Sequence, residues 1–280
     1  MRAPRFHALT AIDGSSLMVS DWPLDSGRVR GVVLIVHGLG EHAGRYGHVA
    51  RRLNRWGFAV RAYDQYGHGA STGARGALPQ ADRLLTDLTA VVEQLRAQRS
   101  PDTPLILLGH SRGGLVAARF VAQALRPVQA LVLSSPALDP GLNAVQKLLL
   151  ATLPRIAPNL RVGNGLNPAF LSHDPAVVAA YRADPLVHDR ICARLAVFIA
   201  AGGPATIAAA PAWCVPTLLL YAGADRLVDP AGSRAFARAA PKTVVSAHAF
   251  ETLYHELFNE REPDREQVFG ALERWLDLRF

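Results

Sequence analysis

Leu105–Phe120 reads LILLGHSRGGLVAARF. The apolar run Leu105 to Leu108 has the character of a strand buried on both faces, and Leu115 to Phe120 continues as a helix-like stretch. Between them, Gly109-His110-Ser111-Arg112-Gly113 is G-x-S-x-G in its mechanical context, strand before and helix after. A serine on that turn is held in a strained backbone conformation, so its hydroxyl stands clear of the sheet. Strand and helix pass close to it, which requires small residues two places either side; Gly109 and Gly113 supply them.

Working outward, the chain alternates strand and helix. Phe6 to Ile12 and Leu17 to Trp22 read as a hairpin around Asp13-Gly14, forming an antiparallel edge. Gly31 to Val36 and Phe58 to Tyr63 are buried strands flanking a helix that ends at Gly57, with apolar Val49, Leu53 and Trp56 at helical spacing. A glycine-punctuated loop, Asp64 to Ser71, precedes a helix from Gln80 to Gln98, and Val128 to Leu133 is a further strand. This alternation predicts an α/β protein with a doubly wound, mostly parallel sheet.

After Ser134-Ser135-Pro136 the rhythm breaks. Residues 137–210 hold helix-like pieces (Asn143 to Leu153, Ala176 to Arg182, Arg190 to Ile199) among many prolines, without a buried-strand run. They are read as an inserted helical cap on a core made of residues 1–136 and 211–280. Thr217 to Tyr221, Pro230 to Ala239, Thr243 to Ala249 and Asp264 to Leu278 then resume the alternation as strand, helix, strand, helix.

Half of the 280 residues are hydrophobic, enough for a sizeable core. The best candidate for a membrane span, Ile191 to Ala210, contains Arg194 and the breakers Gly202-Gly203-Pro204, which argues against a crossing of about 20 residues. Met1 to Ala11 lacks the apolar core of a signal peptide, so the expected compartment is the cytoplasm. Cys192 and Cys214 make neither a disulfide framework nor a zinc set and are expected to be buried packing residues. The net charge is +7, and only Lys147 and Lys242 of the 30 basic residues are lysine. A basic surface favours anionic membranes or acidic ligands, but the charges are scattered, without the cluster that nucleic-acid binding requires.

A nucleophilic serine needs a base and a carboxylate to orient it, in the order Ser, Asp/Glu, His on this strand–turn–helix scaffold. Asp225 follows the strand ending at Tyr221, and His255 follows the last strand; both stand past strand C-termini, where sites on open α/β sheets collect. Asp229 fits better as the cap of the next helix, and His248, inside a strand, as a packed sheet residue. The oxyanion donors are the amides of Arg112, directly after the serine, and of Leu39 in His37-Gly38-Leu39-Gly40 after the third strand.

These residues resemble the monoacylglycerol lipase and lysophospholipase branch of the serine α/β-hydrolases. The resemblance covers nearly the whole chain: HGLGEHAGRY at His37 to Tyr46, AYDQYGHGASTG at Ala62 to Gly73, GHSRGG at Gly109 to Gly114, ADPLV at Ala183 to Val187, GADRLVD at Gly223 to Asp229 and YHELFNE at Tyr254 to Glu260. It implies an α/β-hydrolase fold, Ser111, Asp225 and His255 as the triad, Leu39 and Arg112 as the oxyanion hole, and a cap over an apolar acyl channel. The polar head of the substrate is implied near Glu41, Arg45 and Tyr181. Two positions depart from the pattern. Arg112 replaces the usual methionine, and its guanidinium is expected either to pair with a neighbouring carboxylate or to meet a phosphate head group. Phe258 replaces a histidine near the glycerol of the mammalian lipases.

The implied reaction is two-step acyl transfer on a lipid ester, monoacylglycerol first, with lysophospholipid or a small carboxylic ester as alternatives on the same triad. No metal or organic cofactor is required. His37, His42, His48, His68 and His110 form no ligand pattern. Leu148-Leu149-Leu150, Leu153, Ile156 and Leu160 either cover the core or line an acyl channel and touch a membrane peripherally. Two rival readings are a catalytically silent binding module and a dinucleotide-binding protein. The second takes Gly38, Gly40 and Gly44 as its phosphate loop and Asp64 as its ribose acid, one residue off the usual spacing. Oligomeric state leaves no signature in the sequence.

Overall fold

The structure is a computed structural model describing residues 3–24, 29–141 and 152–280. Its frame is an eight-stranded sheet. The strands are β1 (Arg5–Thr10), β2 (Ser16–Trp22), β3 (Gly31–Val36), β4 (Phe58–Tyr63), β5 (Leu105–His110), β6 (Ala130–Ser134), β9 (Thr217–Ala222) and β10 (Val245–Phe250), in the order β1-β2-β4-β3-β5-β6-β9-β10. Among the described residues of this sheet, only β1 with β2 and β2 with β4 pair antiparallel; its other pairs are parallel. The N-terminal hairpin is therefore the antiparallel edge expected of it, turning at Gly14 with φ 80°.

The continuous apolar runs have a physical reason: β3, β4, β5 and β6 are buried at every position because helices cover both faces. Successive residues feed opposite cores. Leu105 and Leu107 pack in one, with α2 (Arg83–Ala97) and α3 (Arg112–Ala122), while Ile106 and Leu108 pack in the other, with α1 (Gly47–Arg55) and α7 (Asp264–Asp277). From β3 the chain moves outward to β4 and then returns to β5 on the other side of β3. The loops leaving β3 and β5 thus part toward opposite faces, which opens a crevice at their C-terminal ends.

Between β6 and β9 lie a two-stranded antiparallel ribbon, β7 (Arg161–Gly163) with β8 (Arg190–Cys192), and the helices α4 (Pro175–Ala183) and α5 (Ala193–Ala209). The ribbon, three residues a side and exposed along β7, is too short to leave a strand pattern in the sequence. Leu148 to Leu150, and most of the expected helix from Asn143, lie outside the described residues.

Gly202-Gly203-Pro204 does not break α5 as expected. The glycines are there for contact: a Cβ on Gly202 would lie 3.2 Å from the Leu115 side chain on α3, and one on Gly203 only 2.0 Å from the Leu138 carbonyl oxygen. The Thr206 hydroxyl donates to the Gly202 carbonyl at 2.8 Å. Ala193–Ala212 is the one stretch among the described residues long and apolar enough to cross a membrane. It packs against α3 and α6 (Pro230–Ala239), with about a third of the stretch buried.

Two further expectations need correction. Cys192 is buried but Cys214 is exposed, since it falls in the connection after α5 instead of on a packed face. His248 is exposed because β10 is an edge strand whose middle residues are exposed on both faces.

Candidate active site

Ser111 sits between β5 and α3 with φ 54° and ψ −123°, a conformation that costs a non-glycine residue about 1–3 kcal/mol. The surroundings enforce it. The Ser111 amide donates to the Ser134 carbonyl at 3.0 Å, while its own carbonyl accepts from Leu115 at 3.1 Å and Ala137 at 3.0 Å. The small residues are obligatory: a Cβ on Gly109 would lie 2.6 Å from the Gly113 carbonyl oxygen, and one on Gly113 2.1 Å from that of Val36.

Asp225 and His255 come from the loops after β9 and β10, and His255 Nδ1 lies 2.6 Å from Asp225 Oδ2. The other carboxylate oxygen accepts from the amides of Leu227 at 2.8 Å and Val228 at 3.0 Å. Both side chains are buried. Burial opposes charge on either group, but the attraction between them prevails: His255 is raised above 6.5 and Asp225 lowered below 3.8. With Nδ1 committed to Asp225, Nε2 is the nitrogen left for a substrate or a hydroxyl. The His110 ring lies 4.8 Å from the His255 ring, centroid to centroid. Burial, then the charge of His255, lowers His110 to about 4, so it is neutral at physiological pH. Asp229 caps α6, its side chain accepting from Ala231 at 2.8 Å.

Ser111, His255 and Leu39 line two adjoining cavities of about 310 and 330 Å³. The first carries the acidic Glu41, Asp184 and Glu256, with Tyr181 and His188, among the apolar Leu166, Leu171 and Val187. The second sets the aliphatic Ala137, Ile191, Ala196, Ile199 and Val228 beside Arg112, Asn164 and Arg226. Among the described residues, neither the Leu39 nor the Arg112 amide donates to a protein acceptor.

Of the three expected head-group residues, Glu41 and Tyr181 line the first cavity and Arg45 lies behind it. Arg45 grips Glu256 through both nitrogens, at 2.5 and 2.7 Å, and Glu41 at 2.6 Å, with the Tyr181 ring 4.8 Å from its guanidinium carbon. Glu41 also accepts from the Gly38 amide at 2.5 Å and the Tyr46 hydroxyl at 2.6 Å. Burial would raise Glu256, but Arg45 holds it down at about 2. Glu256 and His188 were missed in the sequence: Glu256 stands next to His255 without a motif role of its own, and His188 reaches the site only through the fold of the inserted segment. Phe258 does not face the cavities; it packs in the core, its ring 5.2 Å from that of Phe269.

Neither expectation for the Arg112 side chain holds. The guanidinium is buried, donating through Nη1 to His68 Nε2 and through Nη2 to the Gly38 carbonyl, both at 3.0 Å. Among the described residues no carboxylate lies within 4.0 Å of it. α3 begins at this residue, so the side chain folds back under the loop after β3. The dinucleotide reading also fails: the Asp64 carboxylate is held by the amides of Ala43 and Ala70, each at 2.8 Å, and a Cβ on Gly40 would lie 2.4 Å from the His188 carbonyl oxygen, so protein fills the space a phosphate would need.

Residues 27–262 match the family model described as serine aminopeptidase, S33. The monoacylglycerol lipase of Mycolicibacterium smegmatis is 35% identical over 96% of this chain and 96% of its own length. The phospholipase YtpA of Bacillus subtilis is 32% identical over 91% of this chain and 98% of its own. The crystal structure of the Paleococcus ferrophilus monoacylglycerol lipase superposes with a TM-score of 0.85 at 34% identity, covering 94% of this chain and 99% of that one. With its mostly parallel sheet, its serine elbow and these relatives, the chain belongs to the serine aminopeptidase S33 family of α/β-hydrolases.

Proposed function

We propose that the protein hydrolyses carboxylic esters of lipids, monoacylglycerol to glycerol and free fatty acid, through an acyl-enzyme on Ser111. The observation that carries this reading is the opening of two adjoining cavities at one serine, one holding the carboxylates and the other a cluster of aliphatic side chains: the aliphatic cluster takes the acyl chain and the acidic cavity takes the alcohol. His255 accepts the proton of the Ser111 hydroxyl, the serine oxygen attacks the ester carbonyl, and the amides of Leu39 and Arg112 hold the oxyanion. The imidazolium, stabilised by Asp225, then protonates the departing glycerol oxygen, and water repeats the sequence on the acyl-enzyme.

Glycerol suits the acidic cavity better than a phosphodiester does. Four carboxylic residues, Glu41, Asp184, Asp189 and Glu256, line it together with Arg182, and Arg45 bonds two of the four from behind; the acids stay in excess, and an anionic head group meets that field at a disadvantage. Arg112, the residue that would have favoured phosphate, is turned into the protein interior. Glu41 and Tyr181 are read as contacts to the glycerol hydroxyls, with Arg45 holding Glu41 and Glu256 in place behind them.

Residues 137–210 are read as the cap over a core of 1–136 and 211–280. Exposed Ile156, Leu160, Val162 and Leu166 lie on this insertion, and Leu166 reaches both cavities. That placement supports a peripheral membrane contact through the cap, beside the entrance for the acyl chain. A panel of 1-monooleoylglycerol, lysophosphatidylcholine and a short acetate ester on one preparation tests the reading. The expected order of kcat/KM puts monooleoylglycerol first; a preference for lysophosphatidylcholine or for acetate contradicts it.

A further inference from the structure

Three consecutive strand ends deliver one buried chain of hydrogen bonds. The sheet order β4-β3-β5 brings together His68 from the loop after β4, His37 and Gly38 from the loop after β3, and Arg112 from the turn after β5. Its protons follow from the partners. An arginine only donates, so His68 Nε2 accepts from Arg112 and His68 Nδ1 donates to the Tyr66 carbonyl at 2.9 Å. The Gln65 amide donates to His37 Nε2 at 2.9 Å, so His37 Nδ1 donates to the Gly38 carbonyl at 2.8 Å. That carbonyl therefore receives two donors, His37 and the charged Arg112.

The Gly38 carbonyl and the Leu39 N–H belong to one peptide unit. In a trans peptide they point in opposite directions. Anchoring the oxygen against Arg112 and His37 inside the protein turns the Leu39 N–H the other way, toward the cavities that Leu39 shares with Ser111. A cation bonded to the oxygen also polarises the amide and makes its N–H a stronger donor. We propose that Arg112 is a positioning residue for the oxyanion hole: its guanidinium, braced on His68, orients and polarises the Gly38–Leu39 peptide for the charge that develops on the substrate carbonyl.

The arrangement is otherwise hard to justify. A buried guanidinium without a carboxylate partner, and with Nε unbonded among the described residues, opposes folding. Its place at the first residue of α3 sets a cation at the positive end of a helix. Burial lowers Arg112 to about 10, which leaves it charged at neutral pH. A methionine there fills the space without these costs; what the arginine adds is a fixed positive charge one peptide away from the oxyanion.

This inference rests on Ser111 being the nucleophile, and its test separates the two. Wild type, Arg112→Met and Arg112→Gln are compared on p-nitrophenyl octanoate, with Ki for an octyl trifluoromethyl ketone, whose serine adduct carries an oxyanion. Rates are normalised to folded sites by the end point of fluorophosphonate titration. Arg112→Met is expected to lower kcat by about 10- to 100-fold, less than the loss of a whole oxyanion donor, with KM changed less than about twofold. Ki is expected to rise in proportion to the fall in kcat. Arg112→Gln keeps a neutral donor and is expected to fall between Met and wild type; if the Met variant does not fold, Gln alone decides by whether kcat and Ki move together. The midpoint of the pH profile is expected to stay in place, since His255 is untouched. Normalised kcat within about twofold of wild type in the folded variants, or a loss of kcat with Ki unchanged, overturns the inference. An inactive wild type overturns the hydrolase reading instead.

Discussion

His255 Nδ1 stands 2.6 Å from Asp225 Oδ2 across 30 positions of sequence, and each side chain shifts the other's proton affinity in the direction a general base requires. The imidazole is kept in one tautomer and its charged form is stabilised where burial alone would suppress it. Asp225→Asn removes that stabilisation and favours the wrong tautomer while keeping the shape. It is expected to lower kcat on a monoacylglycerol by about 10⁴-fold with a native circular dichroism spectrum. Less than a tenfold loss argues against Asp225 as the orienting acid.

The same pair sets the pH dependence. In the proposed reaction His255 takes the serine proton only when its ring is neutral, and Asp225 raises its pKa above 6.5. Below the midpoint the ring is imidazolium and the rate falls, so the acidic limb of kcat/KM is expected to be centred above 6.5. Asp225→Asn is expected to shift it to lower pH in the residual activity. A wild-type midpoint below 6.5 contradicts this geometry.

Arg45 joins two buried carboxylates, Glu41 and Glu256. Removing the cation alone strands both anions, and Arg45→Met is expected to cost about 3–5 kcal/mol in urea unfolding. Glu256→Gln reports the sign of the coupling with pH. Its pKa is depressed from 4.5 to about 2 in the folded protein, so its contribution is complete above 4.5 and lost as pH falls towards 2. The stability gap between wild type and this variant is expected to narrow over that range; a gap independent of pH contradicts the pairing.

Gly203→Ala separates local propensity from packing. In a helix interior the change gains about 1 kcal/mol by propensity. Here the new Cβ would lie 2.0 Å from the Leu138 carbonyl oxygen, so α5 has to move off the core. Net destabilisation of about 1–3 kcal/mol is expected in the unfolding free energy, and stabilisation is the contrary result.

What was legible in the sequence follows from how locally each feature is encoded. The elbow is a short-range steric rule, so Gly109, Ser111 and Gly113 are readable from spacing. Asp225 and His255 are readable because strand ends on a parallel sheet share one rim. The parallel strands announce themselves as unbroken apolar runs because both of their faces are covered. The direction of the Arg112 side chain depends instead on loops 44 and 74 residues away that meet at His68 and Gly38. Gly202 and Gly203 look like breakers, and only the approach of Leu115 and Leu138 turns them into contact points. The exposure of Cys214 and His248 is not legible, because burial on an edge strand or a connection depends on what covers it. The role of Glu256 in the Arg45 network also emerges only when distant segments meet.

The most direct measurement of the proposed nucleophile is covalent labelling with a fluorophosphonate, followed by peptide mass spectrometry, on wild type and Ser111→Ala side by side. The expected result is one adduct, on the peptide carrying Ser111, formed in step with loss of monoacylglycerol hydrolysis, and neither label nor hydrolysis in the folded alanine variant. An adduct at another residue, or full hydrolysis by Ser111→Ala, contradicts the assignment.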